Sequence, residues 1–182
     1  MKIFIGGSRA VSRLNGEIRN RLDDFIRRGD SILLGDANGA DRAVQQHFAD
    51  RHYPNVEVFC MEGRPRNNVG AWPVRNVAAP NSRKDLSYYA AKDAVMAQEA
   101  GCGVMFWDGK SKGTLQNVLN LMAAGKKTLV YLAPAKEFHV LTNDQELQAL
   151  LARCDRRSIE AASRALGVTL TQPSLPLPPV HS

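Results

Sequence analysis

Residues 103–125 combine three features that constrain how a chain of this kind can fold. An apolar run, Gly103–Trp107, is followed by a glycine-containing turn, Asp108–Thr114, and then by helical periodicity over residues 115–124. This order predicts a buried strand leading into a helix, whose first N–H groups have no partner within the helix and lie at the positive end of its dipole. Such a helix N terminus readily binds phosphate. We therefore expect an anion-binding turn at the end of this strand.

Short apolar runs alternate with helical stretches along most of the chain. The pattern predicts strands at residues 2–5, 32–34, 56–60, 103–107 and 128–132, and helices at residues 14–28, 41–51, 85–100 and 115–124. Nearly continuous apolar strands joined by helices indicate a parallel sheet that is covered on both faces. Since the crossovers between parallel strands are right-handed, the predicted fold class is α/β, a Rossmann-like doubly wound parallel sheet of about five strands.

The predicted domain organisation has three parts. Residues 1–134 form the nucleotide-binding Rossmann-like domain, residues 135–171 a small C-terminal helical appendage, and residues 172–182 a proline-rich tail that is expected to be disordered. Within the first part, residues 62–82 break the alternation and are interpreted as a long loop, of the length that often serves as a functional lid. Whether this loop closes over a ligand stays open.

Composition excludes several classes of function. The net charge of +6 comes from basic residues that are interleaved with acids, so nucleic acid is a disfavoured partner, although it stays open. The three cysteines are widely spaced, without a CxxC pair or a histidine and cysteine cluster, and neither a metal nor a cofactor is predicted. No apolar run reaches the length of a membrane span, and a cytoplasmic protein without a membrane partner is expected. Whether the protein forms a homo-oligomer stays open.

The first turn of the chain, Gly6-Gly7-Ser8-Arg9, follows the first predicted strand. Its glycines allow the backbone to approach a ligand closely, Ser8 offers a hydroxyl, and Arg9 offers a forked cation suited to phosphate. The alternative is an ordinary turn between a strand and a helix. The spacing is not GxGxxG, so the dinucleotide binding of dehydrogenases is not supported.

The second turn is Gly35–Asp41. Gly39 permits a tight turn, and Asp36 follows the strand where a carboxylate could accept hydrogen bonds from ribose hydroxyls. Asp41 has two interpretations, of which a cap or first-turn acid for the following helix is favoured over ligand contact.

The third turn carries the residues around the anion-binding helix. Lys110 and Lys112 add positive charge, and Thr114 could cap the helix or bind phosphate. The GxxxxGK[ST] spacing of a P-loop is absent, which disfavours ATP hydrolysis of that type. Asp108 has two equally weighted interpretations, a ligand contact or a turn aspartate.

The residues that we expect to bind the ligand follow from these turns and from the Lys92-Asp93 pair. By itself this pair is interpreted as an exposed pair of charges on a helix, and it is included because of the resemblance described next. They are Gly6, Gly7, Ser8, Arg9, Gly35, Asp36, Gly39, Asp41, Lys92, Asp108, Ser111, Lys112, Gly113 and Thr114. No catalytic residue is assigned; the candidates are Asp36, Asp93 and Asp108.

The order of the motifs GGSR, GDANGAD, KD and DGKSKGT resembles the SLOG superfamily, and within it the YspA/YpsA-related branch. The superfamily includes the LOG phosphoribohydrolases and the DNA-processing protein A family. The resemblance covers residues 1–134 and implies a Rossmann-like domain that binds nucleotides or ADP-ribose derivatives. LOG enzymes cleave an N-glycosidic bond with a glutamate whose position here is Asn117. Because an amide cannot act as a carboxylate base, hydrolysis would need a carboxylate from elsewhere.

Three functions are therefore weighed. The first is binding of a nucleotide or nucleotide-derived ligand, such as a nucleoside monophosphate, ADP-ribose or an NAD-like molecule, with its phosphate at Gly113-Thr114. The second is hydrolysis of the N-glycosidic bond of a nucleotide. The third is binding of single-stranded DNA, for which the arginines and Trp72 of residues 62–82 would supply cationic and stacking contacts. Whether the protein is an enzyme stays open.

Overall fold

Seven strands form one sheet in the computed structural model, which describes residues 1–78 and 86–170. The strands are β1 (Lys2–Gly7), β2 (Ser31–Leu34), β3 (Val56–Met61), β4 (Val74–Val77), β5 (Cys102–Trp107), β6 (Lys127–Leu132) and β7 (Glu137–Leu141). The helices in this part of the chain are α1 (Gly16–Arg27), α2 (Ala40–Ala49), α3 (Leu86–Glu99), α4 (Lys112–Ala123), α5 (Asp144–Leu151) and α6 (Arg156–Leu166). None of these helices is long and apolar enough to cross a membrane.

The strand order is β4-β3-β2-β1-β5-β6-β7, and every neighbouring pair is parallel except β6 and β7. The chain first builds the sheet outward from β1 through β2, β3 and β4, and then crosses by α3 to β5 on the other side of β1. The direction of winding therefore reverses between β1 and β5. In doubly wound sheets, ligands bind at this reversal, beyond the carboxyl ends of the strands. The predicted Rossmann-like α/β fold is confirmed.

Two hydrophobic clusters cover the two faces of the sheet. Successive residues of a strand point to opposite faces, so Ile3 and Ile5 belong to one cluster and Phe4 to the other. Helices α1 and α2 pack on the first face, while α3, α4, α5 and α6 contribute to the second. Helices α1 and α6 are followed by Gly29 and Gly167, whose φ angles of 68° and 64° suit the left-handed residue that ends a helix.

Two strands were not expected from the sequence. The interpretation of residues 62–82 as one long loop is wrong for Val74–Val77, which form β4. This edge strand has only two apolar residues and is half-buried or exposed throughout, so it lacks the apolar run that marks the inner strands. Strand β7 lies in the region predicted as a helical appendage and pairs antiparallel with β6. Residues 79–82 of the predicted loop and the predicted tail, 172–182, lie outside the described residues.

Candidate functional site

A cavity of about 520 Å³ opens beyond the carboxyl ends of β1, β2 and β5, where the winding of the sheet reverses. We call this cavity the crevice. Its lining comes from β1 and the turn after it, the turn after β2 with the start of α2, the segment between β3 and β4, the inward face of α3, and the N-cap and first two turns of α4. The lining residues are Phe4, Gly6, Gly7, Ser8, Arg9, Ala10, Gly35, Ala37, Asp41, Arg66, Tyr89, Ala90, Lys92, Asp93, Met96, Ser111, Gly113, Thr114, Gln116 and Asn117.

The three predicted turns therefore converge on one cavity. The predicted residues that line it are Gly6, Gly7, Ser8, Arg9, Gly35, Asp41, Lys92, Asp93, Ser111, Gly113 and Thr114. The predicted residues that do not line it are Asp36, Gly39, Asp108 and Lys112. Because the carboxyl ends of neighbouring parallel strands meet at one edge of a sheet, the turn that follows each strand is the part that reaches the crevice.

The N terminus of α4 opens into the crevice. Ser111 is the N-cap residue, and its hydroxyl oxygen accepts a 3.4 Å hydrogen bond from the N–H of Thr114 and a 3.1 Å bond from the Thr114 hydroxyl. The predicted capping role thus belongs to Ser111 and not to Thr114. Within the part of the chain that the structure describes, the N–H groups of Lys112 and Gly113 make no hydrogen bond. A Cβ atom built on Gly113 meets no atom within 4 Å outside its own stretch of helix, so the space beside Gly113 is free.

Lys92 is the buried cation of the crevice. Its side chain is 5% exposed, and its Nζ donates a 2.7 Å hydrogen bond to Oδ1 of Asp93. Burial alone would lower the pKa of Lys92, but the charges of Asp93 and Asp41 raise it above its ordinary value. Lys92 is therefore protonated at neutral pH and supplies a fixed positive charge inside the cavity.

Asp41 is the acid that is buried most deeply in the crevice. Burial raises its pKa to about 6, against the attraction of Lys92. Its Oδ2 accepts a 3.2 Å hydrogen bond from the N–H of Ala37 in the preceding turn, and α2 has no side-chain N-cap bond. Asp41 is thus an acid in the first turn of α2 that stabilises the turn before this helix. A Cβ atom on Gly35 would lie 2.4 Å from Asp41 Oδ2 and 3.0 Å from Lys92 Nζ, so only glycine fits between the two groups.

Asp36 is engaged by Arg66 at the rim of the crevice. Oδ1 of Asp36 accepts a 2.8 Å bond from Nη2 of Arg66, and Oδ2 accepts 3.1 Å bonds from the Nε and the backbone N–H of the same residue. Although burial raises the pKa of Asp36, these hydrogen bonds and the charge of Arg66 outweigh it and hold the pKa below its usual value. The guanidinium also lies over the ring of Tyr89, at 5.2 Å from its centre. The Asp36 carboxylate therefore orders the rim of the crevice.

Asp108 is a turn aspartate. Its Oδ1 accepts hydrogen bonds from the backbone N–H groups of Lys110, at 3.1 Å, and Ser111, at 2.8 Å. These contacts set the path of the chain into α4. Of the three catalytic candidates, Asp36 is held by Arg66, Asp108 supports the turn, and Asp93 alone lines the crevice.

Several lining residues were not among those predicted to bind the ligand, including Arg66, Tyr89, Met96 and Gln116. Tyr89 and Met96 lie three residues before and four residues after Lys92, so helical spacing from Lys92 could have identified both. Nothing in the local sequence singles out Arg66 from its neighbour Arg64. Across residues 1–78 and 86–170, no group of three or more histidine, cysteine, aspartate or glutamate residues could hold a metal ion.

A second cavity, of about 810 Å³, lies beside the crevice and is rich in arginine. Its lining includes Arg9, Arg13, Arg19, Arg42 and Arg51, and we call it the arginine groove. Arg9 lines both cavities. Arg51 is paired with Asp23, whereas Arg9, Arg13 and Arg42 are exposed and form no ion pair within the described part of the chain.

Trp72 is buried, although its place in the predicted loop would have exposed it to solvent. It is 8% exposed, packs in the first hydrophobic cluster, and donates a 2.8 Å hydrogen bond from Nε1 to the carbonyl oxygen of Tyr53. The interpretation of Trp72 as a stacking platform for DNA bases is therefore wrong. Arg75, from the same segment, is paired with Glu57 and Glu99.

The sheet order and the position of the crevice define a doubly wound α/β protein with a cavity at its winding reversal. No protein-family model matches the chain, and a search of curated proteins finds no match. Among solved structures, the chain is similar to DNA processing protein A from Helicobacter pylori, a protein that binds single-stranded DNA. The two share 16% sequence identity with a TM-score of 0.58, over 92% of this chain and 80% of the other. A likeness at this identity shows the fold, and membership of the SLOG superfamily stays a prediction.

Proposed function

We propose that the crevice binds a nucleotide or a nucleotide-derived ligand, such as a nucleoside monophosphate, ADP-ribose or an NAD-like molecule, with a phosphate at the N terminus of α4. The observation that carries this proposal is the pair of unbonded N–H groups of Lys112 and Gly113 beside the open space at Gly113. Helix N termini with free N–H groups favour phosphate. The crevice volume of about 520 Å³ is within the range of small-molecule sites.

The charges of the lining also favour an anion. The lining holds three cations, Arg9, Arg66 and Lys92, against two acids. The acids are Asp41 and Asp93, and Asp93 is paired with Lys92. The hydroxyl of Ser8 is buried at the end of β1, and its oxygen accepts only the local bond from the N–H of Ala10, so its proton can be donated to a ligand. Together these groups surround a phosphate with donors of both backbone and side-chain origin.

The experiment is isothermal calorimetry of the full chain with nucleoside monophosphates, ADP-ribose and NAD, preceded by mass spectrometry of small molecules that copurify with the protein. The variant Gly113→Asp places a carboxylate in the phosphate position and should abolish binding. Gly16→Asp is the matched control, because Gly16 also lies in the first turn of a helix, with no atom within 4 Å of its Cβ position. Equal loss of binding in both variants, or unchanged binding in Gly113→Asp, would contradict this site.

The same mixtures test the alternative of N-glycoside hydrolysis. Asp93 is the catalytic candidate that reaches the crevice, and its carboxylate already accepts a bond from Lys92. Release of free base, detected by chromatography and lost in Asp93→Asn, would make the protein a hydrolase. Intact nucleotide after long incubation would leave it a binding protein.

A second candidate function, binding of single-stranded DNA, is favoured by the arginine groove. Arg9, Arg13 and Arg42 carry exposed charges without an ion pair in the described residues, and unpaired arginines suit the phosphates of a nucleic acid backbone. The likeness in fold to DNA processing protein A, which binds single-stranded DNA, supports this candidate. The groove, and not the segment around Trp72, is then the contact surface.

Fluorescence anisotropy with a labelled oligothymidine tests the groove. The double substitution of Arg13 and Arg42 by alanine should weaken binding and lower the dependence of log K on log salt by about 1 for each phosphate that the variant no longer neutralises. Arg164→Ala is the matched control, since Arg164 is an exposed arginine of α6, on the opposite face of the sheet. An unchanged salt dependence in the double variant would remove this candidate.

A further inference from the structure

Two of the three cations in the crevice are already paired with an acid. The charged side chains of its lining, among the described residues, are Arg9, Arg66, Lys92, Asp41 and Asp93. Arg66 is held by Asp36, which accepts three hydrogen bonds from the backbone and guanidinium of this arginine. Lys92 donates a 2.7 Å hydrogen bond to Asp93. The two charges of the lining that remain are those of Arg9 and Asp41.

Asp41 is the acid that the crevice stabilises least as an anion. Within the part of the chain that the structure describes, its carboxylate accepts a single hydrogen bond, at 3.2 Å, from the backbone N–H of Ala37. Asp36 and Asp93 each accept a bond from a cationic side chain, at 2.8 Å and 2.7 Å. Because the three acids already match the three cations, an anion that binds here gives the crevice an excess of negative charge. Asp41 is the group at which a proton removes this excess most readily.

The charged groups that act on Asp41 come from α3, from the turn before α2 and from the segment between β3 and β4. They are Lys92, Asp93, Asp36 and Arg66. Burial raises the pKa of Asp41 to about 6, against the attraction of Lys92. The like charges of Asp93 and Asp36 act in the same direction as burial. A further negative charge in the same cavity favours the protonated carboxyl still more, because like charges disfavour the ionised form.

We propose that Asp41 takes up a proton when a phosphate-bearing ligand binds in the crevice, so that the affinity for the ligand rises as the pH falls. This inference rests on the proposed function, because it requires an anion in the crevice, and it adds the regulation of that site by pH. The sign follows from linkage. The complex holds more protons than the free protein, and a fall in pH therefore favours the complex.

The test requires ligands that do not titrate in the same pH range. ADP-ribose and sulfate meet this condition, whereas the phosphate of a nucleoside monophosphate has a second pKa of about 6. Calorimetry of the full chain at pH 6.5, in two buffers of different ionisation enthalpy, gives the number of protons taken up. If the ligand raises the pKa of Asp41 by about one unit, the uptake is about half a proton per ligand, and the affinity rises about tenfold from pH 8 to pH 5.

Three variants assign the proton to Asp41 and to the crevice. Asp41→Asn is neutral at every pH and keeps an oxygen for the bond from Ala37, so it should abolish the uptake and make the affinity independent of pH. Asp144→Asn is the matched control, an exposed aspartate in the first turn of α5, and should keep the uptake. Gly113→Asp should lose both binding and uptake, which excludes the arginine groove as the place where these anions bind.

The outcomes separate the inference from the proposal beneath it. Binding of ADP-ribose to the native protein without proton uptake, at an affinity that does not change with pH, would overturn the inference and leave nucleotide binding intact. An uptake that persists in Asp41→Asn would overturn the assignment to Asp41. If no nucleotide, ADP-ribose or sulfate binds, the proposed function fails and the inference fails with it.

Discussion

Asp36, in the turn after β2, and Arg66, thirty residues further along the chain, form a bidentate ion pair. The Asp36 side chain is 5% exposed, while that of Arg66 is 40% exposed. The pair fixes the segment between β3 and β4 against the turn after β2. It therefore shapes one rim of the crevice from a part of the chain that has no regular structure.

Arg66→Ala should destabilise the protein by about 1–2 kcal/mol at pH 7, because the buried carboxylate of Asp36 loses its guanidinium and keeps one backbone bond. Urea unfolding measures the change. Since the pKa of Asp36 is lowered in the folded state, the stabilisation is present above the unfolded pKa and is lost as the pH falls. The difference between native protein and variant should therefore shrink in acid. Arg64→Ala, an exposed neighbour, should leave stability unchanged.

Asp41 should give the stability of the protein an opposite dependence on pH. Its folded pKa of about 6 is above the ordinary value of 3.8, so between these values the folded state holds a proton that the unfolded chain has released. The contribution of Asp41 to the free energy of unfolding is therefore complete below about pH 4 and is lost as the pH rises through 6. Its full size is about 3 kcal/mol.

Urea unfolding between pH 4 and 7 should show that the free energy of unfolding of the native protein falls relative to that of Asp41→Asn as the pH rises. Asp144→Asn is the control, because Asp144 is an exposed aspartate in the first turn of α5. Parallel curves for the native protein and Asp41→Asn would show that Asp41 titrates normally.

Trp72 should matter for stability and not for DNA binding. Trp72→Phe keeps most of the packing but removes the hydrogen bond to the carbonyl oxygen of Tyr53, and we expect the free energy of unfolding to fall by about 1–3 kcal/mol. The affinity for a labelled oligothymidine should match that of the native protein. A selective loss of DNA affinity at full stability would instead restore Trp72 as a contact.

The positions of the inner strands and the convergence of the three turns could be predicted from the sequence for a physical reason. Strands buried on both faces are apolar throughout, and each must end in a turn before its covering helix. The edge strands β4 and β7 could not be predicted in this way, because half of each faces solvent and neither has a continuous apolar run. Their stability comes from pairing with β3 and β6, the strands that precede them in the chain, and a local apolar pattern does not reveal this pairing.

Within the crevice, too, some residues could be predicted from a local sequence pattern and others could not. Lys92 and Asp93 could be proposed from the KD motif of the family resemblance, whereas the pairing of Asp36 with Arg66 depends on the course of an irregular segment. The sequence also could not separate glycines that the fold requires from glycines that leave room for a ligand. A Cβ atom on Gly7 would lie 2.4 Å from the carbonyl oxygen of Phe106, which makes that glycine a requirement of packing.

Gly113 is a glycine that leaves room for a ligand, and its replacement should affect stability and ligand binding differently. Its Cβ position is open, so Gly113→Ala fits the helix and should stabilise the protein by about 0.5–1 kcal/mol through the reduced entropy of the unfolded chain. The added methyl group would occupy the space beside the free N–H groups of α4, and nucleotide affinity should fall about tenfold, a change worth about 1.4 kcal/mol. Gly16→Ala, in the first turn of α1, should give the same gain in stability with unchanged affinity. Unfolding and calorimetry on the two variants give both quantities, and unchanged affinity in Gly113→Ala would place the phosphate elsewhere.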